Sequence, residues 1–342
     1  MVPEKETRIV TFGEIMLRLD CPPGQRLQRN RIFNRYFGGA EANVSVALAQ
    51  LGLSAKYVTA LPANDIGQAA IDEMRAFGVD TSAICREGER VGIYFTEHGN
   101  NIRASRVIYD RKNSSFATLQ PGRIDWAAVF GNSGYFFWSG ISAALTENAA
   151  AVCEEALRAA RENGMTIAAD MNYRRTLWDY GRKPSEVMPG LLSYCEIVTG
   201  DIDTISVYFG IPENPGNKEE KFRFCAAELK KKLPQMKVLA MSFRDTGPQN
   251  QPTYSGALLM DEEYWFSPSY SIPQTVDRIG SGDAFQAGLL YGIIKKMTAQ
   301  DIVNFAIACG AIKHSTEGDF AILSREEAEG FVKSGAVNRV IR

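Results

Sequence analysis

The sequence predicts an α/β fold in which a central, mostly parallel sheet is covered by helices on both faces and carries a small β-sheet lid. From about Tyr135 onward, short apolar segments alternate with segments of helical periodicity, which is typical of a parallel sheet buried on both faces. Two earlier stretches, near residues 14–37 and 90–113, alternate polar and apolar residues instead, which favours a half-exposed sheet. We therefore predict that these two stretches form the lid of a single domain spanning residues 1–342.

The individual elements follow from local patterns. Residues 8–13 form an apolar run typical of a buried strand, and we interpret residues 15–19 as its continuation beyond Gly13. Residues 41–51 and 147–162 have helical spacing, and Gly52 is placed where a helix commonly ends. Further strands are predicted at residues 31–37, 91–96, 106–109, 135–138, 166–170, 197–198 and 238–241.

Composition and charge restrict the class of protein. The chain has 342 residues, of which 45% are hydrophobic and 23% charged, with a formal net charge of -2; this is ordinary globular composition and argues against a nucleic-acid partner. The apolar helix predicted after Asp283 meets Lys295 and Lys296 before the ~20 residues that a membrane span needs. The charged N-terminus does not resemble a signal peptide. We expect a cytoplasmic protein that does not contact a membrane.

Cysteine and histidine usage predicts neither a disulfide framework nor a metal site. The six cysteines contain no C-x-x-C pair, and the two histidines, His98 and His314, are far apart. We interpret the cysteines as small hydrophobic residues in a reducing compartment.

The segment Gly280–Ser281–Gly282–Asp283 carries the strongest chemical signal. Two glycines flanking a serine at the start of an apolar helix leave backbone N–H groups free to bind an anion. Asp283 beside such a turn could take the proton from a hydroxyl that attacks a phosphoryl group. On these four residues alone, an ordinary loop with an aspartate cap is an equally good interpretation, and the chain has no P-loop and no complete G-x-G-x-x-G.

Four predicted loops, together with the Gly280 turn, are expected on the same side of the sheet. The loops after Phe37, Asp170, Ser242 and Thr275 follow predicted elements, and ligands of parallel sheets bind at the carboxyl ends of the strands. The pair Gly38–Gly39 allows close approach of a ligand to the backbone, or alternatively forms only a tight turn.

Together, residues 37–52 and 277–290 resemble the N-terminal and C-terminal signatures of the ribokinase-like (PfkB) carbohydrate kinase family. The C-terminal signature is commonly written D-T-x-G-A-G-D-x-F-x-A-G. The resemblance extends in organisation over nearly the whole chain and implies a ribokinase-like kinase domain over residues 1–342, with ATP and Mg²⁺ as cofactors. It also implies that Asp283 is the catalytic base and that the N–H groups of Gly280, Ser281 and Gly282 form the anion hole.

Two arginines favour an acidic sugar as substrate. Arg111 lies on the predicted lid and Arg174 follows a predicted parallel strand, and an arginine fork binds a carboxylate that a neutral sugar lacks. Each one taken singly is better explained as a solvated side chain or an ion pair, for example Arg174 with Asp179.

The detailed pattern is similar to the 2-keto-3-deoxygluconate kinases within this family, in residues 38–43, 92–95, 107–111, 170–174, 277–280 and 313–320. This similarity implies phosphorylation of 2-keto-3-deoxygluconate by ATP to give 2-keto-3-deoxy-6-phosphogluconate. It implies sugar contacts from Gly38, Gly39, Asn43, Tyr94, Tyr109, Arg111, Arg174 and Asp319. We expect nucleotide contacts from Asn172, Arg174, Ser242, Arg244, Gly247, Gly280 and Gly282.

The nucleotide side departs from the family pattern. An N-x-x-E motif common in the family is replaced by residues 199–204, where Asp201 or Asp203 could stand in near Mg²⁺. Residues 248–252 form a polar insertion. A kinase for another sugar such as fructose, and more remotely a non-catalytic sugar sensor, remain alternatives. The edges of the lid sheet would allow a homodimer or a higher homo-oligomer.

Overall fold

The structure, a computed structural model, describes residues 6–99, 103–247, 251–272 and 274–335. The N-terminal residues considered for a signal peptide lie almost entirely outside the described residues, as does most of the polar insertion at 248–252. Among the described residues, no helix is long and apolar enough to cross a membrane.

The strands in chain order are β1 (Glu6–Phe12), β2 (Met16–Cys21), β3 (Asn34–Gly38), β4 (Ala55–Val58), β5 (Ala60–Leu61), β6 (Cys85–Arg86), β7 (Gly92–Glu97), β8 (Arg106–Asp110), β9 (Ser133–Ser139), β10 (Thr166–Asp170), β11 (Ile197–Thr199), β12 (Val238–Thr246), β13 (Pro252–Met260), β14 (Glu263–Phe266) and β15 (Tyr270–Ser271). The helices are α1 (Ala40–Gln50), α2 (Asp65–Ala76), α3 (Trp126–Phe130), α4 (Gly140–Ala143), α5 (Glu147–Glu162), α6 (Pro184–Leu192), α7 (Ile202–Phe209), α8 (Lys218–Lys232), α9 (Ser281–Ile294), α10 (Ala299–Lys313) and α11 (Arg325–Ser334).

The central sheet has the predicted mostly parallel arrangement. Its strand order is β14-β13-β12-β11-β10-β9-β1-β4, with β15 paired to β13. The pairs from β4 through β12 are parallel, whereas β13 and its neighbours are antiparallel. The ribokinase-like fold class predicted from the sequence is confirmed.

Alternate residues of the central strands enter two different cores. On β9, Phe136 and Trp138 pack in the core that also holds residues of α5 and α8, while Phe137 packs in the core that holds residues of α1, α9 and α10. Successive side chains of a strand point to opposite faces, so the sheet is covered on both sides. Burial of these apolar side chains is the main stabilising contribution to the fold.

The lid is a second sheet of four strands with the order β3-β2-β7-β8. It is built from the two stretches expected to form it. The interpretation of residues 15–19 as a continuation of the first strand is wrong, because the chain leaves the central sheet after Phe12 and, within the described residues, β2 pairs with β3 and β7 and not with the central sheet. The break follows Gly13, where a side chain would overlap the carboxyl group of Glu41, with a Cβ only 2.0 Å from its Cδ.

The segment after Ser242, expected from the sequence to be a ligand-binding loop, is also different. Residues 242–246 continue β12 and pair antiparallel with β13, so that they form a hairpin in place of a loop.

Candidate active site

The site is a cavity of about 630 Å³ at the carboxyl ends of β10 and β11 and beside the middle of β12, roofed by the lid. This is the edge at which open parallel sheets bind their ligands. The residues that line it are Met16, Gly39, Ala40, Asn43, Tyr94, Val107, Tyr109, Ile141, Asp170, Asn172, Tyr173, Arg174, Thr199, Gly200, Asp201, Ala240, Ser242, Arg244, Arg278, Ile279, Gly280, Gly282, Asp283, Phe285 and Asp319.

Asp283 lies in the first turn of α9, where a carboxylate is favoured by the positive end of the helix. Its Oδ2 accepts a hydrogen bond from Asn43 Nδ2 at 2.6 Å. Burial raises the pKa of Asp283 to about 6, the charge of Asp319 also raises it, and Asn43 and Arg174 act in the opposite direction. A carboxyl group with this pKa is ionised at neutral pH and still basic enough to accept a proton.

The turn before α9 contains two glycines in different environments. Gly280 adopts the left-handed conformation, with φ of 83°, and a Cβ there would lie 2.0 Å from the carbonyl oxygen of Asp319. A Cβ on Gly282 would meet no heavy atom within 4 Å, so the space in front of this residue is open to a ligand.

Ser281 contributes differently from the expectation for the anion hole. Its N–H donates to the carbonyl of Arg278 at 3.3 Å, and its hydroxyl donates to the same carbonyl at 2.8 Å. Its side chain is fully buried and accepts from Arg244 Nη2 at 2.6 Å. Ser281 therefore shapes the turn and holds Arg244 beside it, while Gly280 and Gly282 face the cavity.

The start of α1 is held close to this turn by its own packing. Gly39 is required because a Cβ there would lie 1.9 Å from the carbonyl oxygen of Glu14. The buried Glu41 accepts hydrogen bonds from the hydroxyls of Ser139 (2.8 Å) and Ser142 (2.7 Å), which fix α1 to β9 and α4. Asn43 is thereby positioned to reach Asp283.

The lid supplies aromatic side chains to the roof of the cavity. Tyr94 on β7 is buried and donates its hydroxyl to Asp319, while Tyr109 on β8 is 41% exposed and lines the cavity. Gly38 lies at the other side of Asp319, since a Cβ on Gly38 would be 2.4 Å from its Cγ.

The two arginines predicted to bind an acidic group are in different environments. Arg174 is exposed, lines the cavity and lowers the pKa of both Asp283 and Asp170. Its suggested partner Asp179 is paired with Lys112.

Arg111 does not line the cavity. It is 7% exposed and its Nε donates to Glu14 Oε2 at 2.8 Å, so that most of its charge is already offset. Its Nη1 is buried without a hydrogen-bond partner among the described residues.

Of the remaining residues expected to bind the nucleotide, some line the cavity and one does not. Asn172, Ser242 and Arg244 line the cavity. Gly247 does not; it closes the β12–β13 hairpin, with its N–H donating to the carbonyl of Gln251 at 2.8 Å.

Some residues of the cavity were not anticipated as site residues, above all Asp170 and Arg278. Asp170 ends β10; burial and the nearby charge of Asp283 raise its pKa to about 7. Its position at the carboxyl end of a parallel strand was a usable signal. Of the two aspartates considered near Mg²⁺, Asp201 lines the cavity while its Oδ1 caps α7, and Asp203 does not line it.

Comparison with known proteins identifies the class to which this fold and site belong. Residues 6–324 match the model of the pfkB family of carbohydrate kinases, and the chain belongs to that family. It is a sugar kinase.

Particular relatives are kinases of sugar acids. The chain is 30% identical to a 2-dehydro-3-deoxygalactonokinase of Haloferax volcanii, over 96% of this chain and 97% of the relative. The crystal structure of the 2-dehydro-3-deoxygluconokinase of Thermotoga maritima is similar with a TM-score of 0.91 and 35% identity, covering 96% of this chain and 99% of that one. A putative 2-keto-3-deoxygluconate kinase of Enterococcus faecalis has a TM-score of 0.90 and 25% identity, covering 98% and 99% of the two chains.

Proposed function

We propose that this sugar kinase transfers the γ-phosphoryl group of ATP to the terminal hydroxyl of 2-keto-3-deoxygluconate, giving 2-keto-3-deoxy-6-phosphogluconate. The observation that carries the proposal is the placement of Asp283. Its carboxylate lies in one cavity with the Gly280–Gly282 turn and with Arg174. A base, an anion turn and a cation for the acid group are thus brought together.

The sugar side of the cavity extends from α1 to the lid. Gly39, Asn43 and Tyr109 line it. In the proposed complex, Gly39 and Asn43 would face the sugar hydroxyl groups and Tyr109 would cover the sugar from β8. Arg174 is the group that binds the carboxylate of the sugar acid, because among the described residues its guanidinium forms no ion pair within 4.0 Å and lines the cavity. Tyr94 and Asp319 form the wall beside the sugar, and Gly38 packs against Asp319.

Arg111 is kept in this proposal as a second contact. Its pairing with Glu14 leaves Nη1 as the atom available to a ligand. This contact requires a shift of the lid, since Arg111 is buried and does not line the cavity.

The residues on the nucleotide side fit a triphosphate. Gly280 and Gly282 present backbone at a helix N-terminus, and Arg244 is held at this turn by Ser281. Ser242, Asn172 and Arg174 complete the donor set, and Gly247 lies at the hairpin end expected to approach the nucleoside. The donors are cationic or neutral, as phosphate oxygens require.

The cavity also fits Mg²⁺ bound through phosphate. Among the described residues, no group of three or more His, Cys, Asp or Glu side chains could hold a metal ion alone. Asp170 and Asp201 line the cavity, and Mg²⁺ commonly uses one or two carboxylates with substrate phosphates and water. When bound, it would neutralise charge on the phosphate oxygens.

The residues of the chain then have definite roles. Asp283 takes the proton of the terminal hydroxyl, whose oxygen forms the bond to the γ-phosphorus while the bond to the leaving ADP oxygen breaks. Asn43 orients the carboxylate of Asp283 through the 2.6 Å hydrogen bond. The Gly280 turn and the arginines stabilise the charge of the transferring group by preorganised donors, which need no rearrangement during the reaction.

A panel of acceptors with ATP and Mg²⁺ tests the proposal. We expect ADP release with 2-keto-3-deoxygluconate at a kcat/KM well above that with 2-keto-3-deoxygalactonate or fructose. Turnover of fructose with no turnover of any sugar acid would contradict the choice of substrate. Absence of turnover with every acceptor would contradict the kinase reaction itself.

A further inference from the structure

A buried ionic cluster joins the lid to the two segments that form the anion turn. Its centre is Arg18 on β2, whose side chain is fully buried. The guanidinium contacts Asp277 Oδ2 at 2.7 Å and Asp319 Oδ1 at 3.1 Å through the same nitrogen, Nη1. Its other nitrogens donate to Asp20 Oδ1 at 2.9 Å and Thr96 Oγ1 at 3.1 Å, both on lid strands.

Both carboxylates opposite Arg18 belong to residues that shape the turn. Asp277 Oδ1 accepts the N–H of Ile279 at 3.0 Å, directly before Gly280. The carbonyl of Asp319 packs against the Cα of Gly280, where a Cβ would come within 2.0 Å of it. Arg18 therefore binds both carboxylates that contact the Gly280 turn, Asp277 before it and Asp319 beside it. Arg18 itself does not line the cavity.

A second buried cation, Lys313, does not duplicate this arrangement. Its Nζ donates to the carbonyl of Thr316 at 3.0 Å, and among the described residues it forms no ion pair within 4.0 Å of an acidic oxygen. The charges of Asp277 and Asp319 are thus offset at contact distance by Arg18.

Stability of the fold alone does not explain the cluster. Burial of a guanidinium with several carboxylates carries a large desolvation penalty, and well-packed apolar residues often give equal or greater stability. What such a cluster provides is a fixed geometry between elements that are far apart in the chain.

We propose that Arg18 is a positioning residue for phosphoryl transfer. Its ion pairs connect Asp277 and Asp319 to the lid and so keep the Gly280 turn at a fixed position relative to Asp283. It touches neither substrate and acts through these two carboxylates. The inference rests on the proposed reaction, in which this turn receives the transferring phosphoryl group. It extends that reaction to a residue on the lid, so that formation of the lid sheet and formation of the anion turn are coupled.

The test compares Arg18→Met with Arg18→Lys and with a matched control, Arg35→Met. Arg35 lies on the neighbouring lid strand β3, its side chain is 55% exposed, and it pairs with Glu73 and lies over the ring of Phe37, outside the cavity lining. Because a misplacement of about 1 Å can lower turnover roughly 100-fold, we expect a fall in kcat of that order for Arg18→Met. The KM for ATP should change little, Arg18→Lys should recover part of the loss, and Arg35→Met should keep the native kcat.

A purely structural role gives a different result. In that case folded Arg18→Met would show a lower Tm with native kcat, which would overturn the proposal. If Arg18→Met does not fold, Asp277→Asn and the double variant Arg18→Met/Asp277→Asn decide the question.

In folded variants, Asp277→Asn should lower kcat. The double variant should lose no more kcat than Asp277→Asn alone, because the two residues act as one unit. Native kcat for Asp277→Asn would overturn the proposal.

Failure of this inference is separable from failure of the proposed substrate. All values are ratios to the native chain, measured with whichever acceptor the native chain phosphorylates. A different preferred sugar therefore leaves the expected ratios unchanged.

Discussion

At the scale of single residues, the chemistry depends on how the chain perturbs one carboxyl group. Asp283 is removed from water, which raises its pKa to about 6, while Asn43 and Arg174 limit the increase. Asp170 and Asp319 add negative charge nearby. The result is a carboxyl group that is ionised at neutral pH and becomes protonated in mildly acidic solution, as the proposed role of a base requires.

Replacement of this group should abolish catalysis while sparing binding. We expect Asp283→Asn to lower kcat by roughly 10²–10⁴-fold, the usual contribution of a general base. Binding of the sugar acid, measured by calorimetry, should be nearly unchanged because the amide keeps the shape of the carboxyl group. Asp179→Asn, on an exposed acid outside the cavity lining, is the control, and a variant at position 283 with most of the native activity would refute the assignment of the base.

The pH dependence of kcat/KM reports the same group. Only ionised Asp283 can accept a proton, so activity should fall as the pH drops through about 6. The hydrogen bond from Asn43 stabilises the ionised form and lowers this pKa. Asn43→Ala should therefore raise it and move the acidic limb of the profile to higher pH, whereas a shift to lower pH would contradict the role of Asn43. Asp170, Asp319, Arg174 and Lys313 also act on this group and are retained in the variant.

At the scale of elements, the turn before α9 and the strands of the lid are the parts that place these residues. Gly280 is in a conformation that favours glycine and is packed against Asp319, whereas Gly282 faces open space. The two glycines thus have separate functions within one turn.

Substitution by alanine should separate the two functions. Gly280→Ala combines an unfavourable φ with a backbone clash, and we expect a lower Tm together with lost activity. Gly282→Ala should keep the native Tm, because its Cβ meets nothing, and should raise the KM for ATP by occupying the space for phosphate. Thermal unfolding and initial rates measure both effects; equal Tm losses for the two variants would contradict the distinction.

The ion pair of Glu14 and Arg111 should act mainly on stability. Both side chains are buried, at 3% and 7% exposure, and removal of one partner leaves an uncompensated charge, which costs about 3–5 kcal/mol in such pairs. We expect Glu14→Gln to lower the free energy of unfolding by this order, and the double variant with Arg111→Met to recover part of the loss. Denaturant unfolding measures these free energies. If the loss in the double variant equalled the sum of the losses in the two single variants, the two side chains would not stabilise the fold as a pair.

At the scale of the whole molecule, the predictions from sequence succeeded where the pattern was local. Residues 147–162 and 166–170 form the expected helix and strand, because each carries its own periodicity. The lid sheet was also expected, and β2 lies within the stretch 14–37 that was predicted to contribute to it. The error was to interpret residues 15–19 as a continuation of the first strand, because the local pattern does not show to which sheet a strand belongs. Residues 242–246 were misinterpreted as a loop because their polar side chains conceal pairing with β13.

The candidate site was predictable only in part, for the same reason. Gly280–Asp283 is a compact motif, and Asp170 could have been found from its position at a strand end. The partners of Arg18 and Arg111 could not, because Asp319 lies 301 residues from Arg18 and Glu14 lies 97 residues from Arg111. Side chains on different elements meet only after the fold is formed, and no local pattern encodes their distance.

The central claim, phosphoryl transfer from ATP to the terminal hydroxyl of a 2-keto-3-deoxy sugar acid, is tested most directly by phosphorus NMR of the reaction products. With the native chain, ATP, Mg²⁺ and 2-keto-3-deoxygluconate, we predict one new phosphomonoester signal coupled to the terminal CH₂ protons, formed in equal amount to ADP. Release of inorganic phosphate alone, or a phosphate ester at another carbon, would contradict the account.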